Sequence, residues 1–219
     1  MVGLIEAIDD VRTGIEEIGS YLDGLDGAAR WREVKQLDRG RQRTLYAKAA
    51  RAAPIDFAHF VGDARPRQEV IHDGINTLPV LKPWKRFQKR FCRPDDEDGD
   101  GVRTGGVSDR AGARLFGYNE GPTRRFIGPG FFVAVPTADR PEWVDWSARG
   151  AVVIDYFQVP DGAVADGWPP VIANDRRLQR FVYGQTRDFM RRVSRHVSIG
   201  IAFKRERSLD HYFVLCRRG

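Results

Sequence analysis

Apolar residues Leu4, Ile8, Val11, Ile15, Ile18, Leu22 and Leu25 recur at alternating steps of four and three, which gathers them on one side of a helix. Gly14 and Gly19 interrupt the run, each weakening a helix by roughly 1 kcal/mol relative to alanine. Gly24 and Gly27 bracket a turn. A second helical pattern runs from Ala28 to Ala52 with Trp31, Val34, Leu37, Leu45 and Ala49 facing inward and Gly40 interrupting it. The first helix is acidic outside its stripe (Glu6, Asp9, Asp10, Glu16, Glu17, Asp23, Asp26), the second basic (Arg30, Arg32, Lys35, Arg39, Arg41, Arg43, Lys48, Arg51). Residues 1–53 therefore read as an antiparallel helical hairpin with complementary charge. It either packs on its own domain or serves as a homodimerisation arm.

Pro54 ends the helical region. Ile55 to Val61 is a short apolar segment, and Val70 to Pro79 reads as a loop with a turn at Asp73-Gly74. Lys82 to Arg93 interleaves aromatic and basic residues. As a helix it puts Trp84, Phe87 and Phe91 on one face; as a strand it puts Phe87, Lys89 and Phe91 on one side. After the polar, glycine-rich stretch Asp95–Gly106, the pattern turns to short strands: Arg114–Asn119, Thr123–Ile127, Phe131–Val135 beyond the Gly128-Pro129-Gly130 kink, and Ala151–Val159. Leu178–Arg195 reads mostly as helix, and His196–Lys204 with Asp210–Arg217 as a terminal hairpin. In the first strand of that hairpin Ser198, Gly200 and Ala202 share one face, a row of small residues that lets a neighbour approach closely. The fold class is α+β. The helical hairpin (1–53) precedes an antiparallel, barrel-like β-sheet (54–219) with one helix before the closing strands.

Composition changes this picture little. A net charge of +6 among 219 residues leaves nucleic acid, phosphate-bearing ligands and anionic surfaces open as partners. Two well-separated cysteines, Cys92 and Cys216, argue against a disulfide framework and for a reducing, cytoplasmic compartment. No apolar run is long enough to span a membrane, and no glycine fingerprint for a nucleotide is present.

The residue that stands out chemically is Asp155, mid-strand in AVVIDYFQV. Strands are depleted in aspartate, and a buried carboxylate must be paired or neutral. With His196 it forms a candidate catalytic acid–base pair for an isomerase or hydrolase. The competing reading is a structural ion pair. Tyr156, Arg187 and Asp188 are candidate ligand contacts, with Phe131 and Phe132 as wall. The four histidines have no metal-ligand spacing, and Asp96-x-Asp98-x-Asp100-Gly101 lacks the glutamate a calcium loop needs. No metal and no cofactor is assigned. Arginines beside both cysteines would lower a thiol pKa. Basic segments Arg39–Arg51 and Lys82–Arg93 would carry a nucleic-acid-binding alternative.

The segments FQKRFCR, LFGYN, FIGPGFFV, VVIDYFQVP, VYGQTRDFMRRVSRHVSIGIAF and YFVLC, spanning Trp84 to Cys216, resemble a group of bacterial proteins without an assigned role. More loosely they resemble the lipocalin-like (calycin) β-barrel proteins, although the short Gly-x-Trp motif of true lipocalins is absent. The resemblance implies a cup-shaped barrel holding one small hydrophobic or anionic ligand, and it transfers no catalytic residue.

Overall fold

A computed structural model of the chain describes residues 3–79, 85–95, 113–122, 124–138, 144–176 and 178–218. Trp84, Trp143 and the Asp96–Gly101 segment lie outside the described residues.

Four short helices open the chain: α1 (Leu4–Asp9), α2 (Ile15–Asp23), α3 (Gly27–Val34) and α4 (Arg39–Lys48), the last extended by a 3-10 turn at Ala49–Arg51. The pattern that predicts two long helices is thus cut twice. The first cut is at Asp10–Gly14, where Val11 turns out to solvent. The second is before α4, where the Asp38 carboxylate accepts from Arg41 N at 2.9 Å and so satisfies a free amide of the helix start. Asp26 caps α3 in the same way. The expected charge complementarity appears as Arg41 to Asp9 at 3.0 Å.

The rest of the chain closes into an antiparallel barrel of eight strands in sequential order. These are β1 (Val70–Asn76), β2 (Arg86–Cys92), β3 (Leu115–Glu120), β4 (Phe132–Pro136), β5 (Val152–Asp155), β6 (Thr186–Arg192), β7 (Val197–Lys204) and β8 (Arg207–Arg217). Strand β1 pairs with β8 from His72↔Arg217 to Asn76↔Phe213, which closes the barrel. Helix α5 (Phe57–Val61) precedes β1, and α6 (Arg124–Ile127), α7 (Val144–Arg149) and α8 (Gln179–Val182) lie between the strands.

Three expectations are corrected here. Val70–Asn76 is a strand, not a loop: laddering on both sides, to β2 and β8, overrides the Asp-Gly turn signal. Thr186–Arg192 is a strand, and only Gln179–Val182 of the expected Leu178–Arg195 helix is helical. The apolar residues of β6 are buried on both faces, and that double burial mimics a helical period. The region expected as strand Thr123–Ile127 carries helix α6 instead.

Strand alternation sorts the side chains into three layers. Helices α1–α4 cover the outer face of β7, β8 and β1, where Leu4, Ile8, Ile15, Ile18, Leu22, Val34 and Leu45 pack with Val193, Val197, Ile199 and Val214. All of the predicted apolar stripe except Val11 is thus packed within this chain. A second outer cluster joins Phe116, Val133, Val153, Phe189 and Trp146. The interior holds Phe91, Leu115, Phe132, Ile154, Tyr156, Met190, Phe213 and Leu215, and α5 plugs one end with Phe57, Phe60 and Val61.

Three cross-strand pairs shape that interior: Gly74↔Phe87, Gly117↔Phe132 and Gly200↔Phe213. Each phenyl ring lies over the glycine opposite. An added Cβ would come within 2.6 Å of Phe87 at Gly74, and within 2.3 Å of Phe132 at Gly117 and of Phe213 at Gly200. The small-residue row of β7 is thus the floor on which Phe213 lies, an aromatic-over-glycine device that favours strand curvature.

At the plugged end His59 and His72 are fully buried, with ring centroids 6.3 Å apart. His72 Nε2 meets the Phe60 carbonyl at 2.8 Å. Burial is the main force that holds the His72 pKa down, to about 4, and it holds His59 well below its usual value.

Two predictions follow from these contacts. Gly117→Val, which must push against both Phe132 and the Arg90 carbonyl, should cost about 1–3 kcal/mol in urea unfolding. Both histidines are neutral when folded, whereas the unfolded chain protonates them near pH 6.5. Their contribution is therefore complete above pH 6.5 and falls on acidification, that of His72 being lost as pH drops through about 4. His72 alone accounts for about 3 kcal/mol of this. Unfolding free energies measured across this window should fall on acidification, and His72→Gln should flatten the slope.

Candidate functional site

At the end of the barrel opposite α5, the described residues line a cavity of about 540 Å³. Its walls come from the ends of strands β1, β3, β5 and β7, the starts of β2, β6 and β8, and helices α6 and α8. Phe87, Phe213, Tyr183, Ile127, Phe181, Val182 and Leu209 make most of it apolar. Arg86, Arg124 and Lys204 stand at the rim with His211 and Glu120.

The floor is polar and centred on Lys89, whose side chain is 2% exposed. Its ammonium has three donors and each has an acceptor. Nζ donates to Asn119 Oδ1 at 3.0 Å, to Asp188 Oδ2 at 3.1 Å and to the Tyr156 hydroxyl oxygen. The Tyr156 hydroxyl in turn donates to Asp188 Oδ2 at 3.2 Å and accepts from Asn119 Nδ2 at 3.1 Å. The rings of Phe132, Tyr156 and Phe213 surround Nζ at 5.0 Å each, with Phe87 at 5.8 Å. Three of those four rings are the ones laid over glycines. Tyr183 stacks on Tyr156 at 5.2 Å.

Burial dominates the electrostatics. It lowers the Lys89 pKa and raises that of Asp188, and the attraction between the two partly opposes both shifts. Burial, with Asp188 second, pushes the Tyr156 phenol well above its ordinary value. The two forms of the pair, ammonium with carboxylate and amine with carboxylic acid, are thereby brought closer in free energy than they are in water.

The expected site residues divide between this cavity and other parts of the fold. Tyr156 and Asp188 line the cavity. Phe132 lies beneath it against Lys89. Phe131 faces outward, against Tyr118 at 5.5 Å and Trp168 at 6.4 Å. Asp155 also points outward, because it alternates with Ile154 and Tyr156. Its carboxylate accepts from Phe157 N at 3.0 Å and Gln158 Nε2 at 3.1 Å, and pairs with Arg187 Nε at 3.3 Å. These bonds turn the chain out of β5 at the fifth residue of the expected longer strand. Arg187 continues outward to Glu206 at 2.8 Å and lies over Phe157 at 4.0 Å.

His196 sits in the turn after β6, at the plugged end, with Nδ1 facing Arg217 Nη2 at 3.3 Å. Asp155 lies opposite Arg187 at the start of β6, near the cavity end. The catalytic pair is thus not brought together, and the strand path explains why: β6 separates its two members. The thiols are also corrected. Cys92 and Cys216 are buried and free, and burial, outweighing the arginines nearby, pushes both up to about 11. Among the described residues no group of three or more metal-ligating side chains forms.

Sequence reasoning missed Lys89 and Asn119. The signal for Lys89 was its place between Phe87 and Phe91 on one side of a strand. Asn119 ended an apolar strand and carried no signal of its own.

Replacing Lys89 alone by Ala should destabilise the protein by about 3–5 kcal/mol, because Asp188 would be left buried and uncompensated. The joint change Lys89→Met with Asp188→Leu should cost less than either single change, as read by a double-mutant cycle in denaturant.

Among the described residues no helix is long and apolar enough to cross a membrane. Comparison with protein-family models, with curated proteins and with solved structures finds no match to this chain.

Proposed function

We propose that this chain is a small-ligand-binding protein that takes a hydrophobic or anionic molecule into the open end of its barrel, in the manner expected of lipocalin-like barrels. The observation that carries this reading is the cavity of about 540 Å³. Its size is that of small-molecule sites, which are mostly apolar with a few convergent polar groups. An apolar body would lie along Phe87, Phe181, Leu209 and Phe213. An acidic group would meet Arg86 and Lys204 at the rim, where Arg124 is already paired with Glu120 at 2.7 Å.

The nucleic-acid alternative has less support. Arg39 and Arg43 are paired with Asp210, and Arg41 with Asp9 and Asp38. In the second basic segment Lys89 and Phe91 face into the barrel. The isomerase or hydrolase alternative loses its Asp155/His196 pair to the strand path. Free, buried Cys92 and Cys216 fit a reducing compartment such as the cytoplasm.

Anilinonaphthalene sulfonate, an apolar anion, is the probe. It should brighten on binding the folded protein with one site per chain. Ala202→Trp, which fills the cavity beside Asp188, should abolish the signal while circular dichroism stays native. Charge reversal at Lys204 or Arg86 should weaken binding by roughly three- to tenfold. Native protein that fails to bind the probe, or that binds it equally well with Trp at position 202, would show the reading to be wrong.

A further inference from the structure

We propose that Lys89 is a reactive amine that condenses with an aldehyde or ketone drawn into the cavity, holding it as an imine. The inference rests on the ligand-binding reading above and names a substrate class for the same site.

Three observations carry it. The first is geometric. The Lys89 nitrogen lies on the floor of an open, mostly apolar cavity. A carboxyl group stands 3.1 Å from it, and a hydroxyl touches both nitrogen and carboxyl. A carbonyl carbon seated over Nζ would therefore find an acid–base pair within one hydrogen bond of its oxygen.

The second is the choice of residue. The chain contains 30 arginines and 6 lysines. Among the described residues every other ion pair is made by arginine. The one buried deepest uses lysine. An arginine cannot give up its proton in a protein, whereas a desolvated lysine can and is then a nucleophile.

The third is the surroundings. Aromatic rings lie 5.0 Å from Nζ and the side chain is 2% exposed, and burial weakens the hold of Lys89 on its proton and strengthens that of Asp188.

The steps balance without any oxidant or reductant. A proton passes from the Lys89 ammonium to the Asp188 carboxylate, freeing the nitrogen lone pair. Nitrogen attacks the carbonyl carbon, the C–N bond forms, and the carbonyl π-electrons move to oxygen, which takes a proton from Asp188. The nitrogen returns one proton to Asp188, directly or through Tyr156. Asp188 then protonates the new hydroxyl, which leaves as water while C=N forms. The products are a protonated imine beside the Asp188 carboxylate and one water molecule.

The experiment is borohydride trapping. Wild-type protein is incubated with a medium-chain aliphatic aldehyde, reduced with sodium borohydride, and mapped by peptide mass spectrometry. One secondary amine per chain on Lys89 is expected, formed faster than on Lys35, Lys48, Lys85 or Lys204. Anilinonaphthalene sulfonate should block it. Asp188→Asn should slow it by about 100-fold, and Lys89→Arg should remove it. Labelling only of other lysines, or labelling of Lys89 no faster than theirs, overturns the imine. If the sulfonate probe still binds, the ligand-binding reading survives that result; if it does not, both fall. Should either variant fail to fold, the site preference and the probe blockade measured on wild-type protein decide the matter.

Discussion

The constraint on which the molecule depends is the positive charge of Lys89 buried inside a closed sheet. Lys89 sits on the inner face of β2, where alternation allows no route to solvent except toward the cavity. A lone ammonium there would be untenable. The barrel answers with three acceptors, Asn119, Tyr156 and Asp188, drawn from β3, the end of β5 and β6. Those strands become mutually dependent on one atom. The aromatic rings complete the surroundings, and they fit only because three glycines lie across from three phenylalanines.

Around that centre the two ends of the barrel have different chemistry. One end is closed by α5, with two neutral buried histidines behind Phe60. The other end is left open by Ala202 and by the short helices α6 and α8, whose Ile127, Phe181 and Val182 line it. The outer wall is secured independently. Helices α1–α4 shield β7, β8 and β1. Asp155, Arg187 and Glu206 form a chain of ion pairs that runs from a buried carboxylate out to an exposed one on the outer wall. The wall is thus packed from outside while the Lys89 cluster ties β2, β3, the end of β5 and β6 together from inside.

Much of the architecture was legible in the residues. The amphipathic helices, the β-rich second half, the curvature at glycines and the final hairpin all follow from short-range periodicity. Where reading failed, two periods competed. Thr186–Arg192 looked helical because both its faces are buried, and Val70–Asn76 looked like a turn because Asp73-Gly74 outweighed a weak alternation. Asp155 drew attention for a sound reason, a carboxylate in an apolar strand, but alternation put it on the wall while its neighbours Ile154 and Tyr156 turned inward. Lys89 drew less attention because a basic residue among basic residues looks solvated.

By itself the sequence determined which segments could bury a face and therefore the α+β class, since periods of 3.6 and 2 are properties of neighbouring residues. It also determined that any interior lysine would need partners. Only the tertiary structure decided which lysine that was and who its partners are. Asn119, Tyr156 and Asp188 are 30, 67 and 99 residues from Lys89 along the chain. Their convergence depends on strand register and barrel closure, which are set by contacts between distant segments and leave no local trace.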